Sequence, residues 1–246
     1  VVAATPLHMP PAVQRRNALL NRLRAGVDAG GATGEGSMSA TATRPSCDPS
    51  SIALVMIEFQ NEFATPGGKM YGTVQEVMGT TNMLANAAQV CQVARKRGCR
   101  IIHAPVLFQE SHADNPNRGL GILKSCKDGA LFTENTWNAE YCAEMRMQDG
   151  DLEVQGKHGL DCFPNTTLEA LLVEHGIETV AIGGFLTSCC VESTMRSAYE
   201  KGYNVVTLTD CTADTSMAGY KAATEGTFHL FSSPMTAKQF EREYLK

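Results

Sequence analysis

No run of apolar residues in this 246-residue sequence approaches the roughly 20 needed to cross a bilayer, so no membrane-spanning helix is expected. A surplus of positive charge is also missing. Against 26 Asp and Glu stand 21 Lys and Arg, and a formal net charge of −5 gives no general attraction to nucleic acid. Internal repeats are absent, and tryptophan is nearly so, with Trp137 the single example. The nine cysteines are scattered, odd in number, and include an adjacent pair that cannot easily bridge to itself. This pattern argues against a disulfide framework and for reduced thiols in an intracellular protein, with the cytoplasm as the expected location. Acidic residues are missing before Asp28, whereas Arg15, Arg16, Arg22 and Arg24 fall in that stretch, and residues 30–49 are largely Gly, Ser, Thr and Ala. Such a segment buries too little to hold a fold. Residues 1–50 are therefore expected to be a flexible extension, or an organellar targeting segment, given their arginine-rich and acid-poor start.

What remains, residues 51–246, alternates strand and helix patterns. SIALVMI at Ser51–Ile57 is an apolar run of strand length, suited to burial on both faces. Helical spacing follows from Val77 to Arg97, ending at Gly98, and RIIHAP at Arg100–Pro105 reads as a second strand. Periodicity is weak from Phe108 to Met147, apart from a short helix expected near Ala139–Met145. A loop of that length is uncommon unless it performs a task such as covering a site. Asp151–Gln155 reads as a third strand, Thr167–His175 as a helix, and Val180–Ile182 as a fourth strand ending in a sharp turn at Gly183-Gly184. A helix follows Cys190. Asn204–Thr209 then reads as a fifth strand, with a polar loop at Asp210–Asp214, a helix from Met217 to Gly226, and a last edge segment and helix in the tail. Successive βαβ units make a three-layer α-β-α sandwich, with a mostly parallel, doubly wound sheet, the economical fold.

Three chemically distinct residues fall just past strand ends: Glu58, Lys157 and Cys190. In an open α/β sheet the carboxyl ends of the strands share one crevice, so residues distant in sequence can meet there. A carboxylate takes a thiol proton, an ammonium group favours both anions, and a thiolate attacks an electrophilic carbon. Cys190 also sits where a helix begins, which favours thiolate over thiol. Glycine-rich phosphate binding is a weaker reading, because Gly183-Gly184 lacks the full fingerprint. A Cys-His arrangement through His158 is weaker too, since that side chain should point away from its neighbour Lys157. His103 reads as a hydrogen-bonded histidine within a strand. In the long loop, His112, Arg118 and Trp137 are candidate substrate contacts, as are Phe59 and Phe63 beside Glu58.

IEFQNEF at Ile57–Phe63, GKHGLDCF at Gly156–Phe163, GGFLTSCCVESTMRSAYEKGY at Gly183–Tyr203 and TDC at Thr209–Cys211 together resemble the isochorismatase-like cysteine hydrolases, a family that includes nicotinamidases and N-carbamoylsarcosine amidases. The resemblance runs from about Ser51 to Phe240. It implies Glu58 as acid/base, where the family usually has an aspartate, Lys157 as orienting cation and Cys190 as nucleophile. It further implies a cis peptide at Phe185-Leu186, an oxyanion hole from the backbone N–H groups of Leu186 and Cys190, and a homo-oligomer. The family's Asp-x-His metal segment has no counterpart here, since His103-Ala104-Pro105 and His112-Ala113-Asp114 do not specify a metal site. No metal and no cofactor are expected. The implied activity is hydrolysis of a C–N bond in a small-molecule amide, ureide or imide through a thioester. The alternatives are an isochorismate-type ether hydrolase, or a non-catalytic interaction or redox-sensing protein that uses Cys189 and Cys190.

Overall fold

The structure, a computed structural model, describes residues 48–246, so the expectation for residues 1–50 lies outside the described residues except at its end. There Asp48 caps a 3-10 turn at Pro49–Ser51 that leads directly into the first strand. That strand, Ile52–Ile57 (β1), is buried along its whole length. Its alternation explains the unbroken apolar run. Ile52, Leu54 and Met56 enter one core layer while Ala53, Val55 and Ile57 enter the other, so both faces of the sheet are covered.

Five more strands complete the sheet: Arg100–Ala104 (β2), Leu152–Glu153 (β3), Thr179–Phe185 (β4), Asn204–Ala213 (β5) and Ser233–Met235 (β6). All pair in parallel, in the order β3-β2-β1-β4-β5-β6. The helices are Asn61–Ala64 (α1), Tyr71–Thr80 (α2), Met83–Lys96 (α3), Gly121–Asp128 (α4), Leu168–Glu174 (α5), Glu192–Glu200 (α6), Met217–Lys221 (α7), Phe228–Phe231 (α8) and Ala237–Tyr244 (α9). The described residues thus form a parallel six-stranded α/β sandwich. No helix among the described residues is long and apolar enough to cross a membrane.

Local physics redraws four boundaries. The single helix expected at 77–97 is two helices, because Asn82 adopts a left-handed φ of 54° and breaks the run. Asn86 Nδ2 then satisfies the free carbonyl of Thr81 at 2.9 Å. Gly183 and Gly184 do not turn the chain but continue β4. A Cβ at Gly184 would lie 2.1 Å from the Ile57 carbonyl oxygen, and one at Gly183 2.9 Å from that of Cys211, so glycine is required by close strand approach. The polar residues at 210–213 belong to β5, where Asp210 accepts the Ala237 N–H at 2.7 Å and Thr212 donates to the Gly184 carbonyl at 2.8 Å. In place of the helix expected near Ala139–Met145 stand two 3-10 turns, Trp137–Ala139 and Ala143–Met145.

Candidate active site

Strand order reverses between β1 and β4, whose carboxyl ends therefore open a crevice. β1 delivers Glu58, which holds a left-handed φ of 58° while its N–H donates to the Ala104 carbonyl at the end of β2, 3.1 Å away. This conformation turns the chain out of the sheet and aims the carboxylate at Lys157. The Lys157 ammonium, buried 98% and entering just past β3, donates to Glu58 Oε1 and to the Gly159 carbonyl, the latter at 2.7 Å. Burial alone would lower the lysine's proton affinity, but the neighbouring Glu58 charge opposes this and the balance keeps the lysine protonated.

β4 delivers the third residue. After Phe185 the peptide to Leu186 is cis, and Thr187–Val191 form a wide π-helical turn that runs into α6. Hydrogen bonds fix this turn from below. Thr187 Oγ1 lies 2.8 Å from Thr212 Oγ1, and the buried Asp214 accepts the Ser188 N–H at 2.8 Å. Cys190 is buried, whereas Cys189 is half-buried. The adjacent Cys190 thiol pulls Cys189 below the ordinary thiol range. Cys189, burial and the nearby Glu58 charge push Cys190 well above the range. Cys190 therefore rests as a thiol, contrary to the thiolate expected from its helix-start position. Lys157 opposes the shift but is already engaged by Glu58.

Glu58 and Cys190 line one cavity of about 30 Å³, room for a water or two. Phe63, Val106, Phe132, Leu160 and Leu186 form its walls, and α4 closes it with Ile122, Leu123 and Cys126. The long loop thus covers the crevice. Phe63 stacks on Phe185 at 5.0 Å, but the other candidate contacts stand back from the lining. Phe59 is fully buried edge-on to Phe185, Arg118 is exposed and reaches the Ala113 carbonyl, and Trp137 is 45% exposed. His158 also faces elsewhere, with Nδ1 2.7 Å from the Leu107 carbonyl and 3.3 Å from Asp114. His103 is held by Asp151 at 3.1 Å, and His112 stacks on Phe108. Among the described residues no three His, Cys, Asp or Glu side chains converge as metal ligands would.

Sequence reasoning gave no role to Glu62, Asp214 or Cys126. Glu62 is fully buried and accepts the backbone N–H groups of Lys69 and Phe132 and the Asn138 amide, at 2.7, 3.1 and 2.9 Å. It ties the segment after Glu58 to the loop carrying the Phe132 wall. Its one signal in sequence is its place four residues after Glu58, on the turn that also carries Phe63.

An Isochorismatase domain family model matches residues 52–239. The chain belongs to the isochorismatase family. Among its relatives is the ureidoacrylate amidohydrolase RutB of Variovorax paradoxus, 28% identical over 207 residues that cover 79% of this chain and 82% of the relative. A cysteine hydrolase from Pseudomonas syringae pv. phaseolicola superposes with a TM-score of 0.71 at 20% identity, covering 84% of this chain and 98% of the other. N-carbamoylsarcosine amidase from Thermoplasma acidophilum gives a TM-score of 0.62 at 21% identity, covering 76% and 96%. These structures share the isochorismatase-like fold, and the protein is a hydrolase of this family with amidohydrolases among its homologues.

Proposed function

We propose that this isochorismatase-family protein hydrolyses a C–N bond of a small amide, ureide or imide through a thioester on Cys190, without a metal. The observation that carries the reading is the meeting of Glu58, Lys157 and Cys190, from three separate strand ends, in and beside one buried cavity. Two relatives named for ureido compounds, ureidoacrylate and N-carbamoylsarcosine, support the substrate chemistry.

Because Cys190 rests as a thiol, its proton must leave during attack, and Glu58 is the base beside it. The sulfur adds to the substrate carbonyl carbon while the proton passes to Glu58. Backbone N–H groups of Leu186 and Cys190 serve as the oxyanion hole, each donor worth about 3 kcal/mol. Collapse of the tetrahedral species breaks the C–N bond as Glu58 returns the proton to the leaving nitrogen. Water then adds to the thioester, giving its proton to Glu58, which restores the thiol as the acid departs. Lys157 holds the Glu58 carboxylate in place and offsets negative charge in the buried site. The test is a panel of small amides, ureides and imides with mass spectrometry of the quenched enzyme. Turnover with an acyl adduct on the Cys190 peptide supports hydrolysis. Reversible oxidation of the Cys189-Cys190 pair without turnover of any member favours a thiol sensor instead.

A further inference from the structure

The cavity is polar only at its reacting end. Beyond Glu58, Gly159 and the thiols of Cys126 and Cys190, every residue that lines it is aliphatic or aromatic. Among the described residues no lining side chain carries positive charge, and the cation just behind the lining, Lys157, is spent on Glu58 and the Gly159 carbonyl. Of the cations on the surrounding segments, Lys127 in the last turn of α4 is exposed and the others are committed. Lys69 caps the carbonyls of Gly129 and Ala130 just past α4, at 2.9 and 2.6 Å. Lys124 pairs with Asp128 on α4 itself, and His158 faces Leu107 and Asp114. Arg118 is exposed and donates to the Ala113 carbonyl at 3.3 Å. A carboxylate brought into this cavity would lose its hydration, gain no counter-ion and face Glu58. An uncharged amide or ureide gives up far less hydration, needs no counter-ion and meets no charge repulsion from Glu58, and an apolar substituent matches the walls.

Resting on the hydrolase reading above, we infer that the substrate is an uncharged amide or ureide with a small apolar substituent, and that the pocket rejects carboxylate-bearing ureides. Specificity then comes from the walls formed by Phe63, Val106, Phe132 and Leu160 and from the lack of a lining cation among the described residues.

The experiment compares two small electrophiles that differ in charge at the same size. Full-length protein is treated with iodoacetamide or iodoacetate, and the second-order rate of modification at the Cys190 peptide is measured by mass spectrometry. The ratio of the two rates is divided by that of a free thiol such as N-acetylcysteine. The expected result is at least a tenfold normalised preference for iodoacetamide, unchanged in Arg118→Gln and reduced several-fold in Leu160→Arg, whose half-buried position allows a charged side chain to fold. A ratio near one, or a preference for iodoacetate, overturns the inference. So does a Cys190 that neither reagent reaches, because admission of a small neutral electrophile is part of it. Hydrolysis of carboxylate-bearing and carboxamide-bearing ureides, otherwise matched, is followed in parallel. Turnover that favours the carboxylate member overturns the inference and leaves the hydrolase reading intact. Selective alkylation with no turnover of either member counts against the hydrolase reading alone.

Discussion

Glu58→Gln should move two observables in opposite directions. Loss of the base should lower kcat by about 10²- to 10⁴-fold. The Glu58 charge is also one of the causes that push the Cys190 thiol upward, so its removal should shift the pH profile of Cys190 alkylation to lower pH. A profile that moves upward would mean that the carboxylate is not acting on this sulfur. The Lys157 partner is tested by stability. Lys157→Met leaves the Glu58 carboxylate buried without its counter-charge and should cost about 3–5 kcal/mol in denaturant unfolding. Adding Glu58→Gln should recover much of that loss, and simple additivity would show that the pair is not coupled. Glu58, Lys157 and Cys190 stand out in the sequence because each follows a recognisable strand at a point where charge or sulfur is unexpected. The protonation of Cys190 does not stand out, because it depends on Cys189 and Glu58 approaching it in space.

Asp151 clips three elements together. It accepts two bonds from Arg95 on α3 at 2.8 and 2.7 Å, one contact from His103 on β2 at 3.1 Å, and the Gln148 N–H at 2.9 Å. Burial pushes its carboxyl upward, but the His103, Arg95 and Gln148 bonds outweigh this and hold it well below the usual carboxylate range. A carboxyl depressed in the folded state contributes stability that is complete above its unfolded value and is lost as pH falls towards the folded one. Asp151→Asn should therefore cost about 3 kcal/mol at neutral pH, and the gap to the parent should narrow in melts below about pH 4. A gap that does not change with pH would assign the loss to packing instead of charge. At this scale the apolar runs made β1, β2 and the start of β4 legible. The continuations of β4 through Gly183-Gly184 and of β5 through Asp210-Thr212 were not, because glycine, aspartate and threonine ordinarily signal loops. Here a neighbouring carbonyl leaves room only for glycine, and long-range partners satisfy the polar side chains. Helix α4 was illegible for a related reason. It is short, with only Leu123 and Cys126 buried, too few positions to establish a period.

On the scale of the whole molecule, the family match over residues 52–239 supports the proposal that residues 51–246 form one isochorismatase-like hydrolase domain. Removal of residues 1–45 should leave kcat/KM for any substrate found in the panel within about twofold, a change too small to be a lost transition-state contact. A loss of tenfold or more would place part of the working site in the removed segment. Fold and family were legible together because the strand-end motifs and the apolar runs are parts of one pattern. The cavity was not, since its walls come from segments between residues 63 and 186 that meet only in the folded chain. The central claim is that Cys190 carries the acyl group, and quench-flow mass spectrometry of the enzyme during turnover tests it most directly. The account predicts a transient thioester on the Cys190 peptide that forms and decays at rates compatible with kcat, persists in Cys189→Ala, and vanishes together with turnover in Cys190→Ala. Wild-type turnover by folded Cys190→Ala, or an adduct that maps to Cys189 or Cys126, would contradict it.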